Sequence, residues 1–142
     1  MSCNYVIDTY AWIEYFKASE MGEIAKAYIE SERSITPIIV VAEISRKLLK
    51  DIAKGNETHE GRLKRLEFIR ATSRVVELDF ETAVEAGEIS EELRDQAKGW
   101  GLADSIVLCN ARSLSGKVVT GDEHFRELDN VIFIKNKQDS KA

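Results

Sequence analysis

Four carboxylates carry the chemistry that this 142-residue sequence can be read to hold. Asp8 follows the strand-like Tyr5-Val6-Ile7, Glu43 sits in Ile38-Ile39-Val40-Val41-Ala42-Glu43-Ile44, Asp104 in Leu102-Ala103-Asp104-Ser105-Ile106, and Asp122 after Val118-Val119-Thr120-Gly121. Each also has a plain structural reading. The three Asp stand at or near helix starts, where a carboxylate caps free N–H groups, and Glu43 lies one turn before Lys47. Their apolar settings shift the balance. A carboxylate among Ile, Val and Leu loses hydration, and several together repel one another, so they must protonate or hold a cation. Oxygen ligation with open positions suits Mg²⁺ or Mn²⁺ better than zinc.

Positioning such a set takes strands that end at one edge. Short apolar segments at 5–7, 34–36, 74–78, 117–120 and 131–134 alternate with helical patterns at 10–16, 19–31, 37–54, 57–71, about 80–98 and 102–114, with a short helix at 123–127. Ser19 suits a helix cap, Pro37 a first helical position, and Asp79 or Thr82 the cap of the helix that follows. Buried strands separated by helices indicate an α/β protein, a three-layer α/β/α sandwich with a short parallel sheet. Ligands of such sheets bind outside the carboxyl ends of the strands. Asp8 and Asp122 belong at that edge. A helix antiparallel to the strand at 117–120 must also begin there, which brings in Asp104. Glu43, about 9 Å along its helix, reaches the edge only if that helix leans across the strand ends.

No repeat, low-complexity tract or linker divides the chain, so residues 1–142 are expected to form a single domain. The longest run without a polar residue, Ile38 to Ala42, is far short of a membrane span. With no leader pattern and two isolated cysteines, Cys3 and Cys109, the expected setting is cytoplasmic and reducing, without disulfides or a structural zinc. The net charge of −5 argues at first against a nucleic-acid partner. It hides an asymmetry, because residues 46–74 carry +5 and residues 75–104 carry −7. The basic stretch from Arg46 and Lys47 through Lys50, Lys54, Arg62, Lys64, Arg65 and Arg70 to Arg74 offers phosphate contacts or two solvated helix faces; Arg46 and Lys47, beside Glu43, are the strongest candidates. Trp12, Tyr15 and Phe16 have the spacing of a core stripe, and Trp100 between two glycines is either a loop anchor or a rim residue.

In order and spacing, Val6-Ile7-Asp8-Thr9, Val41-Ala42-Glu43-Ile44, Leu102-Ala103-Asp104-Ser105-Ile106 and Val119-Thr120-Gly121-Asp122-Glu123-His124-Phe125 resemble the PIN-domain ribonucleases, and within them the VapC-like toxins of prokaryotic toxin–antitoxin pairs. The resemblance implies a PIN-like fold and a Mg²⁺ or Mn²⁺ site formed by Asp8, Glu43, Asp104 and Asp122. It further implies Thr9 and Thr120 hydroxyls that orient carboxylates or water, and hydrolysis of RNA by metal-activated water. His124 would contact substrate or order its loop, or is simply a surface histidine. The implied partners are RNA, an antitoxin protein and a second copy of the chain. A housekeeping RNA-processing nuclease and a non-catalytic PIN module are the alternatives within the family. A receiver-type phosphoacceptor fits less well, since Asp79 alone lacks the acidic pair such a domain needs after its first strand.

Overall fold

The computed structural model describes residues 3–135. Five strands form one sheet: β1 (Asn4–Ile7), β2 (Ser34–Pro37), β3 (Arg74–Val76), β4 (Gly116–Thr120) and β5 (Val131–Phe133). All neighbours are parallel, in the order β3-β2-β1-β4-β5. The connections are helical: α1 (Thr9–Lys17) and α2 (Glu20–Ile29) after β1, α3 (Ile38–Ala53) and α4 (His59–Thr72) after β2, and α5 (Phe80–Leu93) and α6 (Leu102–Ser113) after β3. A short 3-10 turn, Glu123–Phe125, lies between β4 and β5. The expected α/β/α sandwich with a parallel sheet is what forms. Among the described residues no helix is long and apolar enough to cross a membrane.

The chain leaves β1 in one direction to make β2 and β3, and returns to its other side for β4 and β5. The reversal falls between β1 and β4, which pair with Ile7 opposite Val119. In open parallel sheets this switch point opens the crevice where ligands bind. The core runs beneath it. Val6, Ile7, Val118 and Val119 are fully buried from the sheet, packed with Trp12, Val40, Ile44 and Leu108 from the helices. Burial on both faces is why these strands read as apolar runs and not as alternating patterns.

Caps set most helix starts. The Ser19 hydroxyl accepts from the Gly22 N–H at 3.0 Å, and Asp79 accepts from the Thr82 N–H at 2.7 Å, so of the two candidate caps Asp79 has the role. Some boundaries differ from the sequence reading. Pro37 is the last residue of β2 and precedes the first helical residue, Ile38. The fourth helix begins at His59, after Thr58, whose hydroxyl accepts from the Gly61 N–H. The fifth stops at Leu93 instead of Lys98. Beyond it the Ala97 and Gln96 N–H groups both turn onto the Leu93 carbonyl, and Gly99 takes φ +82°, a conformation that ends helices and favours glycine.

Candidate functional site

Asp8 is the first residue beyond β1 and the cap of α1. Its Oδ1 accepts from the Ala11 N–H at 3.0 Å. Only 6% exposed, it sits in the crevice between β1 and β4. Burial is the main cause that pushes its carboxyl from 3.8 up to about 7; the Thr120 hydroxyl and the Ala11 N–H oppose the shift, while Asp122 and Glu43 add to it. Thr120, the last residue of β4, is fully buried, and its Oγ1 also accepts from the Asp122 N–H at 3.0 Å. The buried Thr120 hydroxyl thus holds the Asp122 turn and acts on Asp8 at the end of the neighbouring strand.

Asp122 stands after Gly121, where an added Cβ would come within 2.5 Å of the Tyr10 ring. A glycine is needed for Tyr10 of α1 to close against this turn. Asp122 Oδ1 accepts from the His124 N–H at 3.0 Å and caps the 3-10 turn. Asp104, in the first turn of α6, accepts through Oδ2 from the Gly101 N–H at 3.1 Å. Its carboxyl is raised, first by burial and then by Asp122, against the lowering effects of Gly101 and His124. The capping reading of the three Asp is thus correct for each of them, and Asp122 nevertheless acts on both Asp8 and Asp104.

Glu43 reaches the site from α3. Thr9, the residue after Asp8, donates its hydroxyl to Glu43 Oε1 at 2.6 Å, and the charge of Glu43 is felt at Asp8. His124 is half-buried, with Nδ1 3.2 Å from Asp104 Oδ2 and 3.5 Å from Asp122 Oδ1. One donor atom from each of Asp104, Asp122 and His124 lies within 4.8 Å of the others, so this histidine belongs to the acidic constellation and is not an isolated surface residue.

The surroundings sort the remaining candidates. Trp100 is buried, donates from Nε1 to the Ser105 hydroxyl at 2.7 Å and meets Phe125 edge-on at 5.0 Å. It anchors the loop before α6 to the turn that carries His124. The Gly-Trp-Gly sequence was the signal for this loop, but not for its role beside His124. Beside Glu43, a groove of about 270 Å³ is lined by Thr9, Tyr10, Arg46, Lys47 and Lys50 among others. Arg46 is exposed there, and Lys47 pairs with Asp51 at 3.1 Å. Much of the basic stretch is spent elsewhere: Arg62 bonds Ser45, Lys64 pairs with Glu60, Arg65 with Glu57 and Arg70 with Glu67. Trp12 is fully buried, whereas Tyr15 and Phe16 are half-buried and line a second cavity.

The sequence matches the PIN domain family over residues 5–131. No curated protein matches significantly. Solved structures share the fold. DNA-bound VapBC from Salmonella typhimurium is 20% identical, with a TM-score of 0.73 over 94% of this chain and 100% of its own. VapBC-1 from nontypeable Haemophilus influenzae is 18% identical, with a TM-score of 0.70 over 93% and 98%. A toxin–antitoxin complex from Klebsiella pneumoniae is 18% identical, with a TM-score of 0.66 over 94% and 99%. With the family match covering most of the sequence and the acidic crevice at the switch point of the sheet, this chain belongs to the PIN-domain family.

Proposed function

We propose that this chain is a divalent-metal-dependent endoribonuclease and the toxin of a toxin–antitoxin pair. The observation that carries the reading is the acidic constellation at the switch point of the sheet, where the buried Asp8 closes β1 and Asp104, Asp122 and His124 bring donor atoms within 4.8 Å of one another. A site of that kind favours a cation. Asp8, Asp104 and Asp122 would hold Mg²⁺ or Mn²⁺, and the ion supplies Lewis acidity that lowers the pKa of a water and offsets charge on the phosphate. Thr9 occupies Oε1 of Glu43, which leaves Oε2 to orient the attacking water or take its proton. Thr120 holds Asp8 and the Asp122 turn in register across the strand ends. Water adds to phosphorus, the bond to O3′ breaks, and the products carry a 5′-phosphate and a 3′-hydroxyl.

RNA is the substrate and enters along the groove beside Glu43. Arg46 and Lys47 contact its phosphates. In the double variant with both replaced by Ala, the slope of log binding constant against log salt is expected to become shallower by about one to two. An unchanged slope would remove these residues from the interface.

The partner reading has its own support. A cavity of about 560 Å³ among α1, α2 and α4 has Tyr15, Phe16 and Phe68 as an aromatic lining, with charges of both signs around it, Lys26, Lys64 and Arg65 beside Glu23 and Glu30. Such a groove suits an amphipathic segment with an apolar face, and of the fold neighbours named above one was solved as a toxin–antitoxin complex and two as VapBC. A second copy of the chain is a further partner: Phe80 and Val84, one turn apart on α5, are 78% and 52% exposed. The test of the whole reading is turnover of single-stranded RNA by purified protein. Cleavage should require Mn²⁺ or Mg²⁺, stop with EDTA and stop on addition of the adjacent reading frame's product. Failure to cleave a broad RNA panel with either ion would refute the nuclease.

A further inference from the structure

We propose that His124 is itself a metal ligand, giving Nδ1 to an ion shared with Asp104 and Asp122, and that this nitrogen makes the centre prefer Mn²⁺ to Mg²⁺. The proposal rests on the metal-dependent reading above and adds to it a donor of a different chemical kind. Two donors about 2.1 Å from one ion stand roughly 3.0 Å apart at right angles and 3.4 Å apart at the tetrahedral angle. Nδ1 lies 3.2 Å from Asp104 Oδ2 and 3.5 Å from Asp122 Oδ1. These are the separations of neighbouring ligands on one ion.

The ring is held with that nitrogen inward. The other nitrogen, Nε2, rests against Gly99, where an added Cβ would lie only 2.8 Å away. Gly99 has φ +82°, so the backbone approaches the imidazole in a conformation other residues rarely adopt. Behind the ring, Trp100 bonds Ser105 and packs on Phe125, which fixes the loop and the turn relative to each other. A reversed ring would aim a C–H at two carboxylates. When the ion is bound, the lone pair of Nδ1 faces it and the ring proton stays on Nε2. Mg²⁺ keeps oxygen ligands and sheds water reluctantly, whereas imidazole binds first-row transition ions readily.

The experiment loads metal-stripped protein with Mn²⁺ and records pulsed EPR. Wild type should show nitrogen coupling from one imidazole, which changes to the ¹⁵N pattern when the protein is grown with ¹⁵N-histidine; that comparison needs no variant. His124→Gln should remove the coupling, while His59→Gln, on the exposed start of α4, should keep it. By calorimetry, wild type should bind Mn²⁺ at least about tenfold more tightly than Mg²⁺, and His124→Gln should bring the two affinities together. A histidine that merely orients Asp104 would weaken both ions alike, by roughly 10- to 100-fold. Mn²⁺ bound without nitrogen coupling overturns the ligand assignment and leaves the nuclease standing. No Mn²⁺ binding at all overturns both.

Discussion

Asp8→Asn is expected to abolish metal-dependent RNA cleavage and, in the same molecule, to raise the melting temperature of the metal-free protein at pH 8. Asn has nearly the same shape and is as good a helix cap as Asp, so the bond from the Ala11 N–H survives. What disappears is a charge that the fold disfavours. The carboxyl titrates at about 7 in the folded chain against 3.8 when unperturbed. Because the folded form holds its proton more tightly, this group's favourable contribution is complete below about pH 4 and is lost as the pH rises through about 7. Above that, the ionised and buried Asp8 costs about 2–4 kcal/mol relative to a neutral side chain. The variant should therefore match wild type near pH 4, gain on it through neutrality, and exceed it by several degrees at pH 8. Melting curves in EDTA across this range measure the gap. Added Mn²⁺ should stabilise wild type and leave Asp8→Asn nearly unmoved. A variant equal to or less stable than wild type at pH 8 would show that Asp8 is not strained by its burial. Full cleavage activity in the variant would remove Asp8 from the catalytic site.

The second large effect lies under the site. Trp12→Ala should lower unfolding free energy by about 3–5 kcal/mol, the usual range for emptying a large aromatic position. Trp12 is wholly buried, stacks on Phe16 with centroids 5.4 Å apart and meets Tyr15 and Phe68 edge-on. Its Nε1 donates to the Thr36 hydroxyl at 3.1 Å. Thr36 in turn shares a hydrogen bond with Ser73 at 2.7 Å, and Ser34 donates to Ser73 at 2.9 Å. This buried polar chain links α1 to β2 and to the residue before β3. Trp12→Phe keeps a ring in the cluster but removes the donor and part of the buried volume, so it should cost less than Trp12→Ala, about 1–3 kcal/mol. Urea denaturation of both variants measures the two losses. A loss below about 1 kcal/mol for Trp12→Ala would mean that the aromatic cluster closes over the gap and that the α1 anchor is weaker than its burial implies.

Much of this architecture was legible from residue order. Strand ends, helix starts and the caps Ser19 and Asp79 follow from spacing over a few residues, because backbone hydrogen bonds and side-chain periodicity act over that range. Asp8, Asp104 and Asp122 could be assigned to one edge for the same reason: each lies within a few residues of a strand end or a helix start whose direction the connection dictates. The end of α5 was less legible, since its Glu-rich helical pattern continues past Leu93 into Arg94-Asp95-Gln96-Ala97-Lys98 and only the turn onto Gly99 stops it. Glu43 was placed loosely, because a helix crossing angle depends on what packs beneath it; here the contact is a hydroxyl 34 positions away, on Thr9. His124 is a similar case, since its carboxylate Asp104 lies 20 positions earlier. The basic stretch shows the converse. Nine cations in residues 46–74 invite one phosphate track, but packing turns several of them onto neighbouring acids and leaves Arg46, Lys47 and Lys50 lining the groove beside Glu43. Chain order thus decided which groups arrive at the edge, since that is local geometry. Their burial, their mutual repulsion and their hydrogen-bond partners were decided only when distant segments met, since desolvation and charge interaction belong to the assembled surroundings and not to the residue.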